Sequence, residues 1–335
     1  MCIRDSYVGW NIGANDAANC IGTTVGAQII SYRKAVVIMS VFVILGGVLQ
    51  GHHVMKTVGK GIVISDAQSF EEHNNEPAGS DFFAVFPDNR LPDKAILVAL
   101  LSAGFFVTLA TFSSVPVSTS QAIVGGVAGV GLGLVGMNAE YFKLGVLLKI
   151  FSAWVVSPVL TMMLAFVLYW VLGKLLRRAS SVVWSQVLAV AVVCSAAYVS
   201  YSLGANDVGN AIGPLLSKYP DKGPWLALLG GTAMAVGAYT FGARVTDTVG
   251  KSITPLDYGG ALSAQLSAAF GVHLFSMAGI PVSTSQAVVG GVIGVGLTKG
   301  MRAVSTKKIG RIFVGWVATP TAAALFAAVV YRLLP

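Results

Sequence analysis

The sequence predicts an all-α polytopic membrane protein built as two inverted repeats, each with transmembrane helices plus a re-entrant helical hairpin. Three observations predict it. Hydrophobic residues make up 55% of the chain and charged residues 11%, with a mean hydropathy of +0.76. That lies far from a soluble globular composition. Apolar runs of bilayer-spanning length recur, for example at 35–51, 146–173 and 187–204. Finally, a set of short motifs occurs twice in the same order. "GANDAANCIG" begins at Gly13 and "GANDVGNAIG" at Gly204, and "TVGK" begins at Thr57 and Thr248; both pairs lie 191 residues apart. "PVSTSQ" begins at Pro116 and Pro281, and W-V-x-x-P begins at Trp154 and Trp316. Ordered duplication of this kind marks two copies of one unit, here 7–173 and 174–335.

Each element follows in order. Residues 1–6, "MCIRDS", align with the middle of an apolar helix in the second copy, where Arg4 and Asp5 are costly. They are expected to be a non-native N-terminus on a shortened first helix, and they lack the apolar core of a signal peptide. Each unit then has a helix carrying GAND and a second helix ending near TVGK. An apolar arm runs into PVSTSQ, a glycine-rich arm runs out, and a Trp- and Pro-containing helix closes the unit. The first copy holds an extra segment at 65–93, polar, acidic and proline-bearing, which reads as an aqueous extracellular loop.

Two arms around a polar turn return the chain to its starting side. Each unit therefore crosses the membrane an odd number of times, and the second copy is inverted. Arg33, Lys34, Lys174, Arg177, Arg178, Arg244, Lys251 and the basic stretch 299–311 fall on one side; the 65–93 loop, Glu140 and Asp221 fall on the other. The positive-inside rule places the first set in the cytoplasm and both termini outside a cell (inner or plasma) membrane. The formal net charge of +8 then belongs to cytoplasmic loops rather than to a nucleic-acid surface. Cys2, Cys20 and Cys194 show no metal spacing and no disulfide framework.

The polar motifs carry the chemistry. Asn15, Asp16 and Asn19 in one copy, and Asn206, Asp207 and Asn210 in the other, place two amides on one helical face beside an acid. An uncompensated acid at bilayer depth costs roughly 2.5–3.5 kcal/mol on insertion scales, which calls for a cation or proton partner. Carboxylate and amide oxygens suit Na⁺, and carboxylates also take protons; the plain alternative is helix–helix hydrogen bonding. In PVSTSQ the proline stops the incoming arm and a hydroxyl caps the outgoing one. Helix N-termini favour anions. Ser118, Thr119, Ser120 and Gln121, with Ser283, Thr284, Ser285 and Gln286, add the many donors a tetrahedral oxyanion needs. A simple capped turn is the alternative. Two broken elements entering from opposite faces can satisfy each other near the midplane around a ligand, the pattern of inverted-repeat transporters.

Other motifs are set aside. "TVGKS" at 248–252 lacks the leading glycine of a P-loop. Gly131, Gly133 and Gly136 fit GxGxxG but follow no strand and read as close helix packing. His52, His53 and His73 lack zinc spacing, and His273, opposite Thr108, reads as a satisfied buried polar group. Trp154, Trp184 and Tyr331 read as packing or interface anchors.

The doubled GAND-x-x-N and PVSTSQ signatures, with TVGK between them, closely resemble the inorganic phosphate transporter family of low-affinity phosphate permeases and sodium–phosphate symporters. The resemblance covers residues 7 to about 333. It implies an inverted-repeat fold, often homodimeric, with phosphate between two re-entrant hairpins and cation-coupled uptake by vertical movement of a transport domain. Transferred by motif position, Asp16, Asn19, Asp207 and Asn210 serve cation and substrate binding, and Ser118–Gln121 and Ser283–Gln286 cradle the oxyanion. The expectation is thus a non-enzymatic symporter of inorganic phosphate driven by Na⁺ or H⁺, without other cofactors. Asn15 and Asn206 are read with Asp16 and Asp207 on the cation side, and Asn19 and Asn210 also on the phosphate side. A sulfate or other oxyanion permease is the nearest alternative, followed by a passive anion channel and an intramembrane aspartyl protease using Asp16 and Asp207.

Overall fold

The computed structural model describes residues 2–112, 117–176, 181–216, 218–252, 256–300 and 306–334. Met1, Pro116, Arg177, Arg178 and 301–305, all invoked above, lie outside the described residues, as do the side chains of Arg4 and Asp5. The described chain is nearly all helical, and its β-type pairing is an isolated bridge between Val63 and Phe142.

In the first half, α1 (Cys2–Gly26) carries GANDAAN, and α2 (Tyr32–Gln50) runs almost directly into α3 (His52–Lys60), which ends on TVGK. Helix α6 (Asp93–Phe112) is the incoming arm, α7 (Thr119–Val135) the outgoing arm, and α8 (Leu144–Leu176) the Trp/Pro helix. The second half repeats the order. Helix α9 (Ser181–Leu203) passes through a π-helical turn at Gly204–Val208 into α10 (Gly209–Leu216). Then come α11 (Gly223–Ser252), arms α12 (Tyr258–Met277) and α13 (Thr284–Thr298), and α14 (Thr306–Leu333). Among the described residues six helices are long and apolar enough to cross a membrane, while α7 and α13 are shorter apolar helices. The multi-pass helical class read from the sequence is what the chain adopts.

The duplication extends to side-by-side packing. A methyl group on Gly13 would overlap the Met234 carbonyl, and one on Gly204, 191 residues later, would overlap that of Val43, itself 191 before Met234. Small residues let helices approach this closely in a membrane, where packing rather than water expulsion drives association. Likewise a methyl on Gly125 would overlap the Pro320 carbonyl, and one on Gly290 that of Pro158. Each outgoing arm is thus wedged against the Trp/Pro helix of the other half: α7 on α14 and α13 on α8. Two glycines of the GxGxxG stretch are close-packed, Gly131 against Val63 and Phe142 and Gly133 against Tyr331, whereas Gly136, with φ +66°, follows α7 in open space.

The 65–93 segment is not a bare loop. It contains α4 (Ala67–Asn74) and α5 (Ser80–Val85). Asp66 caps α4 by accepting from Ser69 N at 3.0 Å. Phe70, Phe82 and Phe86 bury against one another and Tyr141, with ring centroids 5.0–6.3 Å apart. The polar composition hides three aromatics that need a partner from outside the segment, and Tyr141 supplies it. Ile64 N donates to Tyr141 O at 2.9 Å, pinning this cap to the turn before α8.

Candidate functional site

Proline cannot continue a helix, and a serine hydroxyl can take an amide hydrogen that the helix start leaves unpaired. At both turns this fixes the outgoing arm. Ser118 accepts from Gln121 N, and Ser283 from Gln286 N, each at 3.2 Å. The two caps have nearly the same backbone, φ −86°, ψ 103° and φ −88°, ψ 112°. The incoming arm α12 is followed, after Ala278, by Gly279, whose φ of +69° suits glycine.

The turns then meet the GAND helices. Asn15 Oδ1 accepts from Val117 N at 3.4 Å and Asn206 Oδ1 from Val282 N at 3.1 Å, so each amide tethers the non-helical backbone before the cap. Asp16 takes Thr119 Oγ1 on one oxygen at 2.7 Å and Asn19 Nδ2 on the other at 2.8 Å. Asp207 takes Thr284 Oγ1 at 2.8 Å and Asn210 Nδ2 at 3.0 Å. The halves also cross. Ser120 Oγ lies 2.8 Å from Asp207 Oδ1 and 2.7 Å from Val282 O; Ser285 Oγ lies 3.4 Å from Asp16 Oδ1 and 3.1 Å from Val117 O. The structure therefore brings all fourteen residues singled out from the two motifs into one cluster or its immediate wall. None is more than 4% exposed.

Two features set what this arrangement can do. A serine hydroxyl has one hydrogen, yet each crossing serine faces two acceptors. The Asn19, Asn206 and Asn210 amides supply further hydrogens to these oxygens. Carboxylate, hydroxyl and backbone carbonyl oxygens thus converge at each acid, hard ligands of the kind that suits a small cation such as Na⁺. Among the described residues neither carboxylate has a Lys or Arg ion pair, and each is held by hairpin hydroxyls and amides rather than by the other acid. The second feature lies on the far side of the turns. Gln121 and Gln286 line one cavity of 590 Å³ with Trp154, Trp316, Pro158 and Pro320, and their Oε1 atoms have no hydrogen-bond partner. Buried amides are normally satisfied. A half-turn of either amide offers its NH₂ donors to the same space.

The sequence puts Asn15 and Asn206 on the cation side; in the structure their carbonyls also tether the hairpin backbone. Trp154, which the sequence reads as a packing or interface anchor, walls the cavity beside the glutamines together with Trp316, and Trp154 Nε1 donates to Pro281 O at 3.2 Å. The signal that could have found them is their repeated place in W-V-x-x-P. His273 pairs with Tyr198 at 2.9 Å, as Thr108 pairs with Tyr7 at 2.6 Å in the equivalent positions. Gln265 was missed altogether. It donates to Cys20 O and Thr24 Oγ1 and accepts from Ser195, tying α12 to α1 and α9.

Membrane-crossing helices around two proline-led hairpins that meet at buried acids define a multi-pass membrane protein of the transporter class. The chain belongs to the phosphate transporter family, whose model matches residues 12–191 and 184–327. A Thermococcus kodakarensis protein named "Putative phosphate permease" is 30% identical over 408 aligned positions, covering 97% of this chain and 94% of its own. "Inorganic phosphate transporter 2-1, chloroplastic" of Arabidopsis thaliana is 27% identical, covering 97% of this chain and 70% of its own. A solved structure described as "The sodium-dependent phosphate transporter" superposes with a TM-score of 0.82 at 28% identity, covering 98% of this chain and 96% of that one.

Proposed function

We propose that the protein imports inorganic phosphate through the cell membrane by symport with Na⁺. The observation that carries this reading is the matched pair of oxygen clusters at Asp16 and Asp207, each closed by the other half's hairpin. A cation at Asp16, with Ser285 and the Val117 carbonyl, and one at Asp207, with Ser120 and the Val282 carbonyl, would neutralise both acids. The anion then meets two helix N-termini and the hydroxyl and amide donors of Ser118–Gln121 and Ser283–Gln286, with Asn19 and Asn210 beside them. A sodium-dependent relative of the same fold supports Na⁺ over H⁺.

The equivalent contacts of the two halves support an inverted duplication, with both termini outside and the hairpins entering from opposite faces. Alternating exposure follows from moving the hairpin bundle against α8 and α14, and the apolar outer faces of those helices suit a homodimer in lipid. Phosphate uptake into proteoliposomes, with Na⁺ and pH gradients imposed separately, tests the reading. Accumulation is expected with the Na⁺ gradient alone. Accumulation driven only by pH moves the coupling ion to H⁺, and equal competition by sulfate moves the substrate to oxyanions at large.

A further inference from the structure

We infer that the exposed face of α3 is a second anion-binding surface, which gathers phosphate beside the turn of the second hairpin. The inference rests on the phosphate reading above and adds a place where the substrate is met before it is bound. Helix α3 is sharply two-sided. Val54, Met55, Val58 and Gly59 are buried, and Val54 and Val58 pack against Gly209 and Gly213 of α10, the helix that carries Asn210. His52, His53, Lys56 and Lys60 point the other way and are exposed. Positions 52, 56 and 60 share one face at successive i, i+4 steps. Among the described residues none of the four forms an ion pair, and the two imidazoles lie 3.9 Å apart between centroids. Burial, then the adjacent His53 and Lys56, hold the His52 imidazole below its usual range. The positive charge of this face therefore sits on Lys56 and Lys60.

The position decides what such a face can serve. A methyl built on Gly279 would lie 3.1 Å from His53 O and 3.4 Å from Thr57 Oγ1. Gly279 is two residues before Pro281 and four before the Ser283 cap, so the helix that carries the basic stripe adjoins the turn of the second hairpin. Helix α3 also packs on α10, which carries Asn210, and on the π-helical turn that carries Asp207. Among the described residues the inner cluster has no Lys or Arg ion pair. Single-sign charge beside a cleft raises the local concentration of an oppositely charged substrate and the rate of its capture, and salt weakens both. The same chemistry could hold the phosphate of a lipid headgroup. The adjoining hairpin turn favours the free ion.

The test is the kcat/KM of phosphate uptake in proteoliposomes of neutral phosphatidylcholine, with ionic strength varied by an inert salt at fixed Na⁺. Relative to the unsubstituted protein, the pair K56Q/K60Q is expected to lose about tenfold in kcat/KM at low ionic strength. Its kcat stays unchanged, and the two proteins converge as salt rises. Charge reversal, K56E/K60E, is expected to lose more and to reverse the sign of the salt slope. Matched thermal melts establish that the variants fold. A salt slope retained by both variants, or a loss seen only when anionic lipid is added, overturns the inference, the latter making α3 a headgroup site. Absence of uptake by the unsubstituted protein sinks the phosphate reading itself, whereas uptake with no salt dependence sinks this inference alone.

Discussion

The Ser120 hydroxyl lies 2.8 Å from the carboxylate of Asp207, so the first hairpin holds the acid of the second half. The reverse contact, Ser285 to Asp16, spans 3.4 Å. Asn210 donates to Ser120 at 2.7 Å and Asn19 to Ser285 at 2.8 Å, which closes both crossings. Neither hairpin can shift without disturbing the acid opposite it. A change in hairpin position is thereby felt at both acids through the same few atoms, which is how the proposed cation sites would be coupled to movement.

That geometry makes Ser120→Ala costly. It strips a hydroxyl from Asp207, from the Val282 carbonyl and from the Asn210 amide, all buried. Asp207 keeps Thr284, Asn206 and Asn210, and the Val282 carbonyl keeps Asn206, so the loss is that of a hydrogen bond to a charged group, about 1.5–3 kcal/mol. Ser285→Ala removes longer contacts, 3.4 Å and 3.1 Å against 2.8 Å and 2.7 Å, and is expected to cost less. Thermal melting of the two purified variants ranks them. A larger loss for Ser285→Ala contradicts the crossing as described.

Asp16→Asn and Asp207→Asn keep side-chain shape and delete the charge that a cation neutralises. Each is expected to lower Na⁺-dependent phosphate uptake by about 10- to 100-fold, the size of an ordinary coupling free energy between bound ligands. Uptake measured as a function of Na⁺ at saturating phosphate checks it. Undiminished Na⁺ dependence in both variants would remove these acids from the coupling role.

Much of this site is visible in the sequence because it is written twice. One polar turn in an apolar chain is ambiguous; two identical ones, each following an acid-bearing helix, specify partners, and Thr119–Asp16 and Thr284–Asp207 are those partners. What stayed hidden depends on contacts from remote positions. Phe70, Phe82 and Phe86 sit in a segment whose average is polar, and the ring that completes their cluster, Tyr141, comes from beyond α7. Trp154 has the composition of any packing residue, and only its approach to Pro281 O distinguishes it. GAND in α1 is α-helical, whereas the same four residues begin the π-helical turn before α10. A tetrapeptide common to both cannot encode that difference, so the surrounding packing does.

At the base of the second hairpin, Asp257 precedes α12 and Lys299 follows α13. Lys299 Nζ and the Tyr169 hydroxyl both donate to Asp257 Oδ1 at 3.0 Å. Burial alone would raise the Asp257 carboxyl, but the Lys299 hydrogen bond and charge, with Tyr169, hold it below the usual carboxylate range. A depressed carboxylate binds fewer protons folded than unfolded. Its stabilisation is therefore complete above about pH 4, its unfolded range, and is lost as pH falls through the lower folded value. Melting temperatures from pH 6 down to 3 are expected to fall more steeply for the unsubstituted protein than for Asp257→Asn. Parallel curves rule the contact out as a contributor.

Gly125 and Gly290 separate two opposing effects of one methyl group. Replacing glycine by alanine inside a helix gains about 1 kcal/mol from backbone propensity. At Gly315, in the interior of α14, a methyl meets open space, so Gly315→Ala is expected to raise the melting temperature slightly. At Gly125 and Gly290 the same methyl runs into the carbonyls of Pro320 and Pro158, which are rigid backbone and cannot rotate away. Overpacking of that kind costs about 1–3 kcal/mol, enough to outweigh the propensity gain. Gly125→Ala and Gly290→Ala are therefore expected to lower the melting temperature and to do so to a similar extent, because α7 on α14 and α13 on α8 are the same contact made twice. If all three substitutions shift stability in one direction, α7 and α13 are not wedged against α14 and α8 as closely as the structure has them. The seating of both hairpin turns against the acids then loses its mechanical support.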